Sequence, residues 1–168
     1  IKKSIRITGS VVAFPYILPD MVFGRSGKIS PSNKITIGMI GVGSHGTNVN
    51  LKSFLSQEDA QVIAVCDVDG SRLERARNLV NEKYDNQDCS AYKDFREIIG
   101  RKDIDAVMIS TPDHWHVPMS LMAMKGGKDV ICEKPTLTIE EGCVLVDAVK
   151  RYGTVFQTST EDRSVYVY

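Results

Sequence analysis

At 168 residues, with 42% apolar and 25% charged side chains, the chain has the size and balance of one ordinary folded domain, which excludes wholesale disorder. Its 21 Lys and Arg match its 21 Asp and Glu, so no net field draws it towards nucleic acid or an acidic membrane surface. Of the four cysteines, Cys66, Cys89, Cys132 and Cys143, no two form a C-x-x-C pair, and Cys66 and Cys132 lie in apolar runs where buried free thiols are expected.

Residues 1–33 differ from the rest. A basic start, Ile1-Lys2-Lys3-Ser4-Ile5-Arg6, precedes a modest apolar run from Val11 to Leu18, and a Pro/Gly/Ser-rich stretch then reaches Asn33. This pattern reads as the remnant of an export signal with a linker behind it, not as a membrane span, and it points to the periplasm. The alternative is a loosely packed arm on a cytoplasmic protein.

The folded part is expected to span residues 34–168. An apolar run over Ile35–Ile40 ends in Gly41-x-Gly43-x-x-Gly46, and a helix-compatible segment from Thr47 to Leu55 follows. Ala60 to Asp67 is a buried-strand pattern ending in a carboxylate, and Gly70 to Tyr84 carries apolar residues at helical spacing. A short strand over Cys89–Tyr92 and a short helix over Lys93–Gly100 come next, then the strand Asp105–Ser110 and a break at Thr111-Pro112. Trp115 to Lys125 is predicted as a helix with His116, Met119, Ser120 and Ala123 on one face. The strand Asp129–Cys132, the amphipathic helix Thr138–Tyr152 and the strand Thr154–Thr158 complete the series. Strands that are continuously apolar and alternate with helices predict a parallel sheet covered on both faces. The fold class is therefore a doubly wound α/β (Rossmann) domain with strand order 3-2-1-4-5-6.

Four motifs sit at the carboxyl ends of these strands, where such sheets bind ligands. In the glycine turn, Gly41 allows the tight bend, Gly43 admits a pyrophosphate close to the backbone, and Gly46 lets the helix pack on the strand. Ser44 and His45 belong to the same phosphate-facing turn, at the positive end of the helix. Asp67 lies 21 residues beyond Gly46, near the spacing of about 20 at which a carboxylate meets the adenosine ribose hydroxyls and repels a 2′-phosphate. NAD is thus favoured over NADP, although Arg72 can accommodate a 2′-phosphate. The competing view of Asp67 is a surface residue in an Asp67-x-Asp69-Gly70 turn.

The third motif is Ser110-Thr111-Pro112-Asp113-His114-Trp115-His116. Ser110 and Thr111 can hydrogen-bond the ribose or phosphate side, and Pro112 stiffens the turn. His114-x-His116 suggests a metal, with Cys132 or Glu133 adjacent, yet no third ligand is set by local spacing and no metal is expected. His116 is better read as capping or packing at the helix start, and Trp115 as buried or beside a cofactor. The fourth motif is Glu133-Lys134-Pro135. Alone it would be a solvated turn. At a strand's carboxyl end beside a bound nicotinamide, its lysine is suited to exchange a proton with a hydroxyl or carbonyl.

Together these motifs and Gly153-Thr-Val-Phe-Gln157 resemble the N-terminal half of the Gfo/Idh/MocA oxidoreductases, the glucose–fructose oxidoreductase and inositol dehydrogenase family, over residues 34–168. The leader-like start resembles its exported branch. The resemblance implies NAD(P)-linked oxidation or reduction of a sugar or polyol hydroxyl, with Lys134 catalytic and Glu133, Pro135, Ser110, Thr111 and His116 lining the dinucleotide. It also implies a homo-oligomer, and a second, β-rich domain beyond Tyr168 that carries most of the substrate site, so this chain alone is expected to bind dinucleotide without being a complete catalyst. A glycosidase that uses NAD transiently, or a non-catalytic dinucleotide-binding module, are the alternatives. Glu161-Asp162 stand where exported relatives tend to carry glutamines, which leaves the substrate open.

Overall fold

The computed structural model describes residues 29–160. The proposed leader and the Glu161-Asp162 pair lie outside the described residues. Six parallel strands, β1 (Ile35–Ile40), β2 (Ala60–Cys66), β3 (Ser90–Tyr92), β4 (Ala106–Ile109), β5 (Asp129–Glu133) and β6 (Phe156–Ser159), form one sheet in the order β3-β2-β1-β4-β5-β6. This is the predicted doubly wound order, with its reversal between β1 and β4.

Every connection between neighbouring strands carries helix, because parallel strands need a crossover that packs back on the sheet. The crossovers contain a π-wound segment, Gly46–Leu51, continued by α1 (Lys52–Leu55), then α2 (Gly70–Tyr84), α3 (Phe95–Gly100), α4 (His116–Lys125) and α5 (Ile139–Tyr152). Side chains alternate across the strands into two cores. Ile37, Met39, Val62 and Val65 pack under the π-wound segment, α1 and α2 with Leu51, Leu55, Leu73 and Val80. On the other face Ile40, Val107, Ile109 and Val130 pack under α3, α4 and α5 with Ile98, Val117, Met124 and Leu145. Strands with both faces covered explain the unbroken apolar runs in the sequence.

Local chemistry sets the helix ends. Asp69 caps α2 by accepting from Ser71 and Arg72 N–H groups, and Asp94 caps α3 through Arg96 N–H. Thr138 and Glu141 form a reciprocal capping box on α5, which ends on Gly153 in the left-handed region. Several boundaries differ from the sequence reading. The helix predicted from Thr47 begins with π-winding at Gly46, where Gly46 crowds the preceding turn. The helix predicted from Trp115 starts at His116, behind a separate 3₁₀ turn over Asp113–Trp115. β6 starts at Phe156, not Thr154, because Val155 N–H is taken by the Asp129 side chain at 2.8 Å. Cys66, Cys89 and Cys132 are buried free thiols and Cys143 is exposed.

Candidate functional site

The register brings Ile40, Cys66, Ile109 and Cys132 to the same edge of the sheet. The residues that follow them, Gly41, Asp67, Ser110 and Glu133, are four of the predicted site residues, and the sheet assembles them from segments far apart in sequence.

The glycine turn is built on close backbone approach. Gly41 adopts φ +86°, and a Cβ there would lie 2.6 Å from the Ser110 carbonyl oxygen. A Cβ on Gly46 would lie 2.3 Å from the Gly41 carbonyl oxygen, so only glycine lets the helix start against the turn. Gly43 is different: its would-be Cβ meets only Arg72 Nη1, at 3.7 Å. That opening is a cradle that a side chain would fill and a phosphate can enter. Thr47 closes the turn from within, donating its Oγ1–H to the Val42 carbonyl at 2.7 Å and its N–H to the Gly43 carbonyl at 2.9 Å.

Asp67 is buried and holds the same turn. Its Oδ2 accepts the Val42 N–H at 2.9 Å and its Oδ1 accepts the Asp69 N–H at 2.9 Å. Each carboxylate oxygen keeps a second lone-pair direction for a ribose hydroxyl. Arg72 lies nearby, its Nε 3.7 Å from Asp69 Oδ2 and its Nη1 on the open side of Gly43.

On the other side of β1, a residue that sequence reasoning missed joins three that it singled out. Asn50, on the π-wound segment, is buried; its Nδ2 donates to Ser110 Oγ at 2.8 Å and to Glu133 Oε1 at 2.9 Å. His45 Nε2 lies 3.2 Å from the same Glu133 oxygen. Glu133 is itself buried, at the end of β5. No sequence motif marks Asn50, since an asparagine in the first turns of a helix is unremarkable until the partner strands are placed.

His116 is 2% exposed, with Nδ1 2.8 Å from the Pro135 carbonyl oxygen and Nε2 2.8 Å from that of Thr111. The ring lies between the loop after β4 and the loop after β5, within hydrogen-bond distance of one carbonyl oxygen of each. Lys134, Pro135 and Pro112 are exposed, as are Ser44 and His45, and the Lys134–Pro135 bond is cis. Trp115 is not buried: it is 41% exposed, its ring 6.3 Å from Phe95 and 6.0 Å from His114 between centroids. The short 3₁₀ turn ahead of α4 swings it off the helix face that covers the sheet. Thr111 Oγ1 is buried without a hydrogen-bond partner among the described residues, which leaves a polar atom at the strand edge for a ligand to satisfy.

The open cradle at Gly43 and the orphaned Thr111 hydroxyl fit a dinucleotide laid across the edge of the sheet. Comparison with known proteins agrees. The model of Gfo/Idh/MocA, an oxidoreductase family with an NAD-binding Rossmann fold, matches residues 35–160. A glycosyl hydrolase family 109 protein of Shewanella sp. (strain MR-4) is 36% identical over 146 residues, covering 80% of this chain and 31% of that protein. An alpha-N-acetylgalactosaminidase of Shewanella oneidensis is 34% identical over the same coverage. The chain thus spans about a third of the length of the curated relatives it matches. Among solved structures, scyllo-inositol dehydrogenase from Lactobacillus casei with bound NAD(H) and scyllo-inositol superposes with TM-score 0.69 at 25% identity, covering 79% of this chain and 38% of that one. Myo-inositol 2-dehydrogenase from Lactobacillus plantarum gives the same TM-score, 0.69, and the same identity and coverage. The motifs, the strand order and the family match agree: the chain belongs to the Gfo/Idh/MocA oxidoreductase family, and it carries that family's NAD-binding Rossmann domain.

Proposed function

We propose that the protein acts on a sugar or polyol by NAD(P)-linked hydride transfer at a carbinol carbon. The observation that carries this reading is the meeting of the glycine turn, Ser110 and Glu133 at one sheet edge, with Lys134 next in sequence to the buried carboxylate. Gly41, Gly43, Ser44, His45 and Gly46 would hold the pyrophosphate, Asp67 the adenosine ribose, and Ser110, Thr111, Pro112, Glu133 and Pro135 the second half of the cofactor. Bound there, the dinucleotide supplies a reversible hydride acceptor. Lys134 Nζ takes the proton from the substrate hydroxyl as the carbon is oxidised and returns it on reduction. His116 joins the loop that carries Lys134 to the loop after β4. A second domain beyond this chain would complete the substrate site, and a homo-oligomer is the expected assembly.

A specific observation favours a second reading of the same first step. The curated relatives at 34–36% identity are named as family 109 glycosyl hydrolases and an alpha-N-acetylgalactosaminidase. In a glycosidase of this kind, oxidation next to a carbon-bound hydrogen acidifies that hydrogen, the glycoside leaves by elimination, water adds, and the hydride returns. The two readings separate in one experiment on the full-length gene product. Incubation with NAD and a panel of inositols, hexoses and nitrophenyl glycosides yields net NADH if the protein is a dehydrogenase. Nitrophenol without net NADH identifies the glycosidase. Binding of NAD with neither product would leave only a dinucleotide-binding module. Export is proposed on the basic-then-apolar start alone; among the described residues no helix is long and apolar enough to cross a membrane.

A further inference from the structure

We infer that Asn50 is a positioning residue for the second mononucleotide half of the cofactor, and that it gives the site its selectivity for a whole dinucleotide over the ADP half. The inference rests on the dinucleotide reading above and goes beyond it. Asn50 is 7% exposed and 83 residues from Glu133 in sequence, yet its amide nitrogen is 2.9 Å from Glu133 Oε1 and 2.8 Å from Ser110 Oγ. A carboxylate oxygen accepts, so the amide group that faces it is the NH₂, which has one hydrogen for each partner.

That polarity propagates outward. Because Ser110 Oγ accepts from Asn50, its own O–H is left to donate to an acceptor at the sheet edge. Asn50 and His45 both converge on Glu133 Oε1, and a carboxylate has about four acceptor directions, more than these two contacts use. The edge of β4 therefore presents a donor and the edge of β5 an acceptor. Both lie on the opposite side of β1 from Asp67 and β2. In a doubly wound sheet each side of that reversal takes one mononucleotide, so Asn50 serves the half distant from the adenosine ribose. The π-winding of Gly46–Leu51, a rare geometry that recurs at functional sites, carries Asn50 to this position.

The test compares two probes, NAD and ADP, by calorimetric titration of the full-length gene product and its Asn50→Leu variant, which keeps the volume and removes the donor. NAD affinity is expected to fall about tenfold or more, the scale of one lost hydrogen bond to a charged partner, while ADP affinity holds. Asn50→Ala, which also lacks the donor, is expected to show the same NAD-selective loss and serves if Asn50→Leu does not fold. Equal losses for NAD and ADP would mean that Asn50 only supports the turn, and unchanged binding of both would mean that it does nothing at the site; either overturns the inference. A wild-type chain that binds neither probe overturns the dinucleotide reading as well.

Discussion

The main-chain N–H of Val42, in the middle of the glycine turn, donates to Asp67 Oδ2 at 2.9 Å. One carboxylate thus shapes the glycine turn, and it is the group proposed to meet the adenosine ribose. The Val42 residue is fully buried, so removing its acceptor leaves an orphaned N–H that costs about 1–3 kcal/mol. Asp67→Ala is therefore expected to lower stability by that amount in urea unfolding and to weaken NAD binding in the same protein. Asp67→Asn keeps one acceptor oxygen and removes the charge, so its affinity for NADP should rise relative to NAD. Adding Arg72→Ala, which removes the guanidinium beside Gly43, should abolish that gain. An unaltered NAD-to-NADP ratio in both variants would remove Asp67 from cofactor choice.

Two glycines of one motif should fail in different ways. Gly46→Ala forces a Cβ to 2.3 Å from the Gly41 carbonyl oxygen, and the backbone shift is expected to cost about 3 kcal/mol or more, within the range for severe strain. Gly43→Ala points its methyl into open space, with Arg72 Nη1 3.7 Å away, and should leave stability within about 0.5 kcal/mol while weakening NAD binding. Thermal melts paired with NAD titrations distinguish the two. A stable Gly43→Ala variant with full affinity would show that no phosphate enters there.

Lys134 is exposed beside buried Glu133, so its truncation should leave the fold intact. In the full-length protein Lys134→Ala is expected to cut turnover by about 10²–10⁴, the contribution of a positioned proton-transfer group, with little change in NAD affinity. Steady-state kinetics and a NAD titration of the same preparation check both halves. Full turnover would strip Lys134 of its role.

Burial pushes the Cys66 thiol up to about 12 from 9.0, with nearby Asp67, Asp94 and Glu97 adding repulsion. Burial likewise pushes Cys132 up to about 11. Below pH 9.0 the thiols are protonated in the folded and unfolded chains alike, and this contribution to stability is intact. Above pH 9.0 the unfolded chain ionises first, so stability declines as pH climbs towards the folded values of about 11 and about 12. Urea midpoints should accordingly be lower near pH 10 than near pH 8, and Cys66→Ala should flatten that slope. In the native protein a thiol reagent should modify exposed Cys143 ahead of the buried three.

The sequence by itself determined the alternation of buried strands and helices and the turn chemistry at Gly41, Gly43 and Gly46, because each of these is written in residues close together, and the alternation pointed to the fold class whose strand order the sheet adopts. It also located Asp67, Ser110 and Glu133, since a strand's last apolar residue marks where its carboxyl edge lies. Only the tertiary structure decided what those residues touch. Asn50 enters the site because the crossover after β1 lays the π-wound segment over the ends of β4 and β5. His116 became a bridge between two loops, and Trp115 turned outward, through packing that no local periodicity records. Secondary structure follows from short-range pattern, whereas a hydrogen bond between residues 83 positions apart depends on how the whole sheet is ordered.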